Sequence, residues 1–139
     1  MRTEASLLSS RPSKRQVNPW LWQEKYGFSQ AWRVEDAQTV VFLSGQGPVL
    51  PDGHVLEGNF EEQARLAFEN LKTVLEQAGV GFESVVKLTA YFTDVSNLRT
   101  FSRVRNEFIS GDPPASTVVE VAALALPGMT IEVEAIAVS

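Results

Sequence analysis

An apolar stripe at helical period runs through Phe60, Ala64, Ala67, Phe68, Leu71, Val74, Leu75 and Ala78. A helix of that length must lay the stripe against a second layer of structure. Both of its ends are written into the sequence: Asn59 with Glu62 three residues on has capping-box spacing, and Gly79 stands where a left-handed residue closes a helix. The spacing predicts a helix over residues 60–78. What can be layered on it is limited, because 139 residues hold one domain, and 44% apolar residues build one core.

Strand signals surround this helix. Residues 26–34 partly alternate, and Thr39–Ser44 is a β-branched and aromatic run, so the two read as a hairpin joined by the polar turn Glu35–Gln38. Ser44-Gly45-Gln46-Gly47-Pro48 interrupts with glycines that suit a bulge, and Pro51-Asp52-Gly53 is a turn. Residues 84–93 alternate Val86, Leu88, Ala90 and Phe92 with Val85, Lys87, Thr89 and Tyr91, a strand covered on one side. A second helix is expected over 97–108 with Leu98, Phe101, Val104 and Phe108 inward, ended by Gly111-Asp112-Pro113-Pro114. Strands over 116–123 and 130–138 complete the order. The fold class is α+β, a two-layer sandwich of one sheet with two helices on one face. The other sheet face, carrying Val118, Ala122, Ile136 and Val138, then needs cover, which oligomerisation supplies.

Charge and side-chain inventory exclude several functions. The net charge is −5, with +3 on residues 1–19 and therefore −8 on the rest, a body that repels polyphosphate. Residues 1–19, basic and rich in Ser, read as a mobile tail, with a presequence as the other reading; residues 20–139 read as the single domain. No cysteine is present and His54 is the sole histidine, so disulfides, thiolate chemistry and multi-His metal sites are absent. Neither a long apolar run nor a signal-peptide core is found, which suggests a soluble cytoplasmic protein without membrane contact. The Gly-Lys-Ser/Thr phosphate loop is missing.

Taken in order, Ser29-Gln30-Ala31, Ser44-Gly45-Gln46 followed by Pro48, Gln63 through Ala78-Gly79, Pro114-Ala115, Val119-Glu120-Val121 and Ile131–Ala137 are similar to the reactive-intermediate deaminase family, also called YjgF-like, Rid or endoribonuclease L-PSP. The resemblance covers residues 26–139. It implies a chorismate-mutase-like fold with a mixed sheet, a homotrimer with small-molecule clefts at the subunit interfaces, and hydrolysis of 2-imino or 2-enamino acids to 2-oxo acids and ammonia without cofactor or metal. It assigns Glu132 to orienting the attacking water.

The same resemblance marks departures. Where the family has an arginine that clamps the substrate carboxylate, this chain has Ser116; where Tyr, Cys and Asn are frequent it has Phe28, Val118 and Ser102. Losing a charge-assisted clamp costs roughly 10- to 150-fold in affinity. The reading is therefore a deaminase-like hydrolase of a reactive imine or enamine other than the standard 2-imino acid, with a non-catalytic metabolite-binding or regulatory trimer as the alternative and an endoribonuclease ranked last. Glu132 is the candidate catalytic residue; Phe28, Ser44, Gly45, Gln46, Gly47, Ser102, Ser116, Thr117 and Val118 are candidate ligand contacts. Trp20, Trp22 and Trp32 close an edge or wall a planar ligand, and Arg33, Arg99, Arg103 and Arg105 are possible replacements for the missing cleft cation, though expected to be solvated.

Overall fold

The computed structural model describes residues 13–139. Its strands are β1 (Ser13–Val17), β2 (Ala31–Glu35), β3 (Val40–Gln46), β4 (Val85–Phe92), β5 (Ala115–Glu120) and β6 (Ile131–Val138), and its helices are α1 (Phe60–Gln77) and α2 (Leu98–Phe108). Four strands form the main sheet in the order β3-β6-β4-β5, and β1 and β2 form a separate antiparallel ribbon. β6 is antiparallel to both neighbours while β4 and β5 are parallel. A parallel pair requires a crossover, and α2 provides it.

α1 forms as its sequence dictates. Asn59 accepts from the Glu62 amide while the Glu62 carboxylate accepts from the Asn59 amide, and Gly79 follows with φ +82°. Ala64, Ala67, Phe68, Leu71 and Leu75 of α1 and Phe101 and Val104 of α2 are buried against Leu88, Ala90 and Phe92 of β4 and Ile131, Val133, Ala135 and Ala137 of β6. Phe68, Phe92 and Phe101 interlock, with ring centroids 5.7 Å (Phe68–Phe101) and 4.9 Å (Phe92–Phe101) apart.

Several expectations need correction. The hairpin of residues 26–34 with 39–44 does not form: residues 22–26 wind into a 3₁₀ turn, β2 pairs with β1, and β3 pairs with β6. Alternation specifies a pleated strand without naming its partner. Of the expected tail, residues 1–12 lie outside the described residues, and residues 13–17 are the strand β1. Val118 lies on the helix side of the sheet, beside Ala90, and Ala122 lies beyond the end of β5. Val85 is buried in place of Val86, because the β4–β6 register shifts between Val85 and Lys87. On α2, Leu98 leaves the core for the surface.

The sheet's other face carries Val40, Phe42, Thr89, Tyr91, Thr117, Val119, Glu132 and Glu134, and Phe42 there is 77% exposed. Among the described residues no helix is long and apolar enough to cross a membrane.

Gln63 ties the layers together. Its buried amide nitrogen donates to Leu56 O and Gly128 O, both at 2.9 Å, and its amide oxygen accepts from Thr130 N at 2.9 Å and Thr130 Oγ1 at 2.6 Å. Replacing the amide by an alkyl group strands all of these partners at about 1–3 kcal/mol for each one left buried. Gln63→Leu is expected to lower unfolding stability by roughly 3 kcal/mol or more, read as a shift of the urea midpoint with little change in slope.

Candidate functional site

The sequence-selected residues separate into two groups on different surfaces. The first is on the open sheet face. Alternation along β6 sends Ile131 and Val133 into the core, so Glu132 and Glu134 emerge opposite, with Glu132 beside Tyr91 and Glu134 beside Thr89. The expected irregularity falls in β3, where the register shifts between Leu43 and Gln46. There the missing side chain of Gly45 makes room: a Cβ at that position would overlap the Glu132 carboxylate. No described residue hydrogen-bonds the Glu132 carboxylate.

Tyr91, which sequence reasoning left as an outward strand position, donates to Glu134 Oε1 at 2.8 Å. That hydrogen bond, with some desolvation and the negative charges of Glu134 and Glu132, holds its phenol above the ordinary value of 10.0. Ser44 is exposed on β3 and its carbonyl accepts from Gln46 Nε2. Thr117 faces this side and accepts from Lys87 Nζ at 2.7 Å. Gly47 is buried instead, packed on Met129 with its carbonyl accepting from Asn70.

The second group meets at the β5 edge. Trp22, Phe28, Ser102, Arg105, Ser116 and Val118 line a pocket of about 410 Å³, within the range of small-molecule sites. Four of these were selected from sequence. Ser29 anchors the segment carrying Phe28: its amide donates to Pro114 O, and its hydroxyl donates to Pro113 O while accepting from Gln16. Trp22 stacks edge-to-face on Phe28 at 5.7 Å and is 53% exposed, so it forms a wall open to solvent. Trp32 is a different case, its indole N–H donating to Pro113 O at 2.8 Å. It braces the same loop.

The arginines divide as well. Arg33 pairs with Glu35 and Arg103 with Glu61 at the surface, and Arg99 is exposed. Arg105 departs from expectation, being only 7% exposed. Burial pushes its guanidinium below the usual arginine value, although an arginine stays charged. One signal was legible: Arg105 lies four residues from Phe101 and three from Ser102, at the border of the α2 apolar stripe. His54 is exposed and pairs with Asp52, away from both groups. Its hydrogen bonds, backbone first, hold the Asp52 carboxyl below its ordinary value. Among the described residues no cluster of three His, Cys, Asp or Glu side chains could hold a metal.

The molecule is a two-layer α+β domain with a largely apolar pocket at the sheet edge, into which Arg105 and two serines project, and a carboxylate without a hydrogen-bond partner among the described residues on the sheet face. Comparison with known proteins gives the family. The family described as endoribonuclease L-PSP matches residues 23–139, and this chain belongs to it. DfrA of Myxococcus xanthus is 40% identical over 113 residues, 81% of this chain and 85% of its own. TdcF of Escherichia coli K12, provisionally named a reactive intermediate deaminase, is 34% identical over 106 residues, 74% of this chain and 81% of its own. The crystal structure of YyfB, a Rid-family protein of unknown function from Yersinia pestis, superposes with TM-score 0.82 at 30% identity over 91% of this chain and 98% of its own.

The Tyr91–Glu134 contact has a measurable consequence. The neutral phenol is the donor, so the bond is present below the ordinary pKa of 10.0 and is lost as pH rises through the raised value. In a Tyr26→Phe background, which leaves Tyr91 the single tyrosine, absorbance at about 295 nm is expected to titrate above that value, with Glu134→Gln bringing the midpoint back down.

Proposed function

We propose that this protein hydrolyses a reactive imine or enamine of a small metabolite, in a cleft that two copies of the chain build together. The observation that carries the reading is the division of the site: a ligand-sized pocket at the β5 edge holds Phe28, Ser102, Ser116 and Val118, while Glu132, a carboxylate with no hydrogen-bond partner among the described residues, lies on the open sheet face. That face also exposes Phe42, Val40 and Val119. Apolar side chains on an otherwise solvated sheet favour association. A closed trimer, in which each pocket adjoins the next copy's Glu132, uses both surfaces at once.

In such a cleft the chemistry is balanced without a cofactor. Glu132 accepts a proton from water as the oxygen bonds to the electrophilic carbon and the C=N electron pair moves to nitrogen. It returns the proton to that nitrogen, giving a carbinolamine; Glu132 then takes the hydroxyl proton and passes it to the nitrogen as the C–N bond breaks, so that ammonia leaves and the electron pair left on oxygen forms the carbonyl of the product. Ser116 and Ser102 supply hydroxyls to the ligand, and Phe28 and Trp22 pack its body. With serine at position 116, the ligand is held differently from a standard 2-imino acid. TdcF's provisional name supports the deaminase reading. RNA is disfavoured by the −8 carried on residues 20–139, since phosphate contacts draw on Lys and Arg.

Ammonia release from imines generated in situ by an amino-acid oxidase tests the reading. Glu132→Gln is expected to lose about 10²- to 10⁴-fold in rate while keeping ligand affinity. Binding without turnover in both proteins contradicts hydrolysis and leaves a metabolite-binding trimer. Sedimentation is expected to give a trimer at micromolar concentration, and a stable monomer contradicts the shared cleft.

A further inference from the structure

We propose that Arg105 is the residue that receives an anionic group of the ligand, so that the β5-edge pocket selects organic monoanions carried on a flat apolar body. The proposal rests on the pocket being the ligand cleft. It adds the chemical class of the ligand and the residue that reads it.

Arg105 is buried, yet among the described residues no carboxylate pairs with it. Its nearest acceptors are neutral: Nη1 donates to Tyr26 O at a long 3.4 Å, and Nε and Nη2 donate to Asn106 Oδ1 at 3.3 and 3.2 Å. A guanidinium has five N–H donors, so these contacts engage three of them. A buried charge without a counter-charge is unfavourable, and its natural complement is an anion. The seat is also built for the group. Gly27 takes φ +74°, and a Cβ there would overlap the Arg105 guanidinium, so the chain has made room with a left-handed glycine directly over the cation.

The surroundings define the remainder of the ligand. Arg105 lines the 410 Å³ pocket with Trp22, Phe28 and Val118, and it also lines an adjoining recess of about 590 Å³ with Tyr26 and Ser102. An aromatic wall on one side and a cation at the base match a carboxylate attached to a ring or comparable planar group. Ser116, on β5, cannot supply a charged fork; Arg105 supplies one from α2. The anionic end is thereby gripped from the helix side of the cleft, which fits a ligand bulkier than a short-chain 2-imino acid.

Phenylacetate and its neutral counterpart phenylacetamide are suitable probes, read by calorimetry and by quenching of tryptophan fluorescence. Wild-type protein is expected to bind phenylacetate about 10- to 150-fold more tightly than phenylacetamide, the range a charge-assisted contact carries. Arg105→Met should abolish that preference, bringing the phenylacetate-to-phenylacetamide affinity ratio to about one. Arg105→Lys should restore part of it, as a point charge without the planar fork. Equal affinities of wild type for the two probes would overturn the assignment of Arg105 alone, since the pocket would still bind. Binding of neither probe would overturn the cleft reading and the inference with it. An Arg105→Met protein that keeps the acid preference but loses oligomeric mass would show Arg105 to be an interface residue, against the proposal. Should that variant not fold, the wild-type acid-to-amide ratio and Arg105→Lys still decide.

Discussion

The pairing of β6 between β3 and β4 is the constraint on which the molecule depends. β6 is the one strand bonded on both sides to antiparallel neighbours, and its inward residues Ile131, Val133, Ala135 and Ala137 supply the floor on which α1 and α2 rest. Side chains in a strand have a period of two, so a one-residue slip would expose that floor and bury Glu132 and Glu134. Burial of the apolar set thus fixes where the acids emerge. The carboxylate of the candidate site is positioned by the core beneath it rather than by polar partners of its own.

The glycine at position 45 completes that placement. Its bulged strand crosses Glu132 at a point where a Cβ would displace the carboxylate from its present position. A comparable device appears at the other edge, where Gly27 leaves space for the Arg105 guanidinium. In each case backbone without a side chain admits a charged group, and in each case that group has no ionic partner among the described residues. The two charges sit on different surfaces of one chain. Association of copies would turn two half-sites into one, with an acid from one copy and a cation from the next.

Much of this was legible in the sequence, for identifiable reasons. The long helix was readable at both ends because capping chemistry is local: Asn59, Glu62 and Gly79 act within one turn. Alternation in residues 131–137 named the inward and outward sets correctly, although Val138, expected on the uncovered face, is buried, and the glycines at 44–47 marked the bulge. Strand partners were not legible, since β2 and β3 each satisfy the alternation rule and only tertiary context assigns β1 to one and β6 to the other. The role of Ser13–Val17 was hidden by its basic, polar composition, which suits the edge of a small ribbon as well as a tail. Arg105 was legible as a possible replacement cation but its burial was not, because a charged residue at the border of an apolar stripe is usually solvated. Its burial comes from residues 22–28, far away in sequence, folding over it.

The shared cleft is tested most directly by mixing two inactive variants with defects on opposite surfaces, Glu132→Gln and Ser116→Trp, the second of which fills the pocket. Unfolded together and refolded at equal concentrations, they should regain roughly a quarter of the wild-type ammonia release, because random assembly of a closed ring gives about that share of interfaces with both halves intact. A mixture no more active than either variant refolded alone would contradict the account.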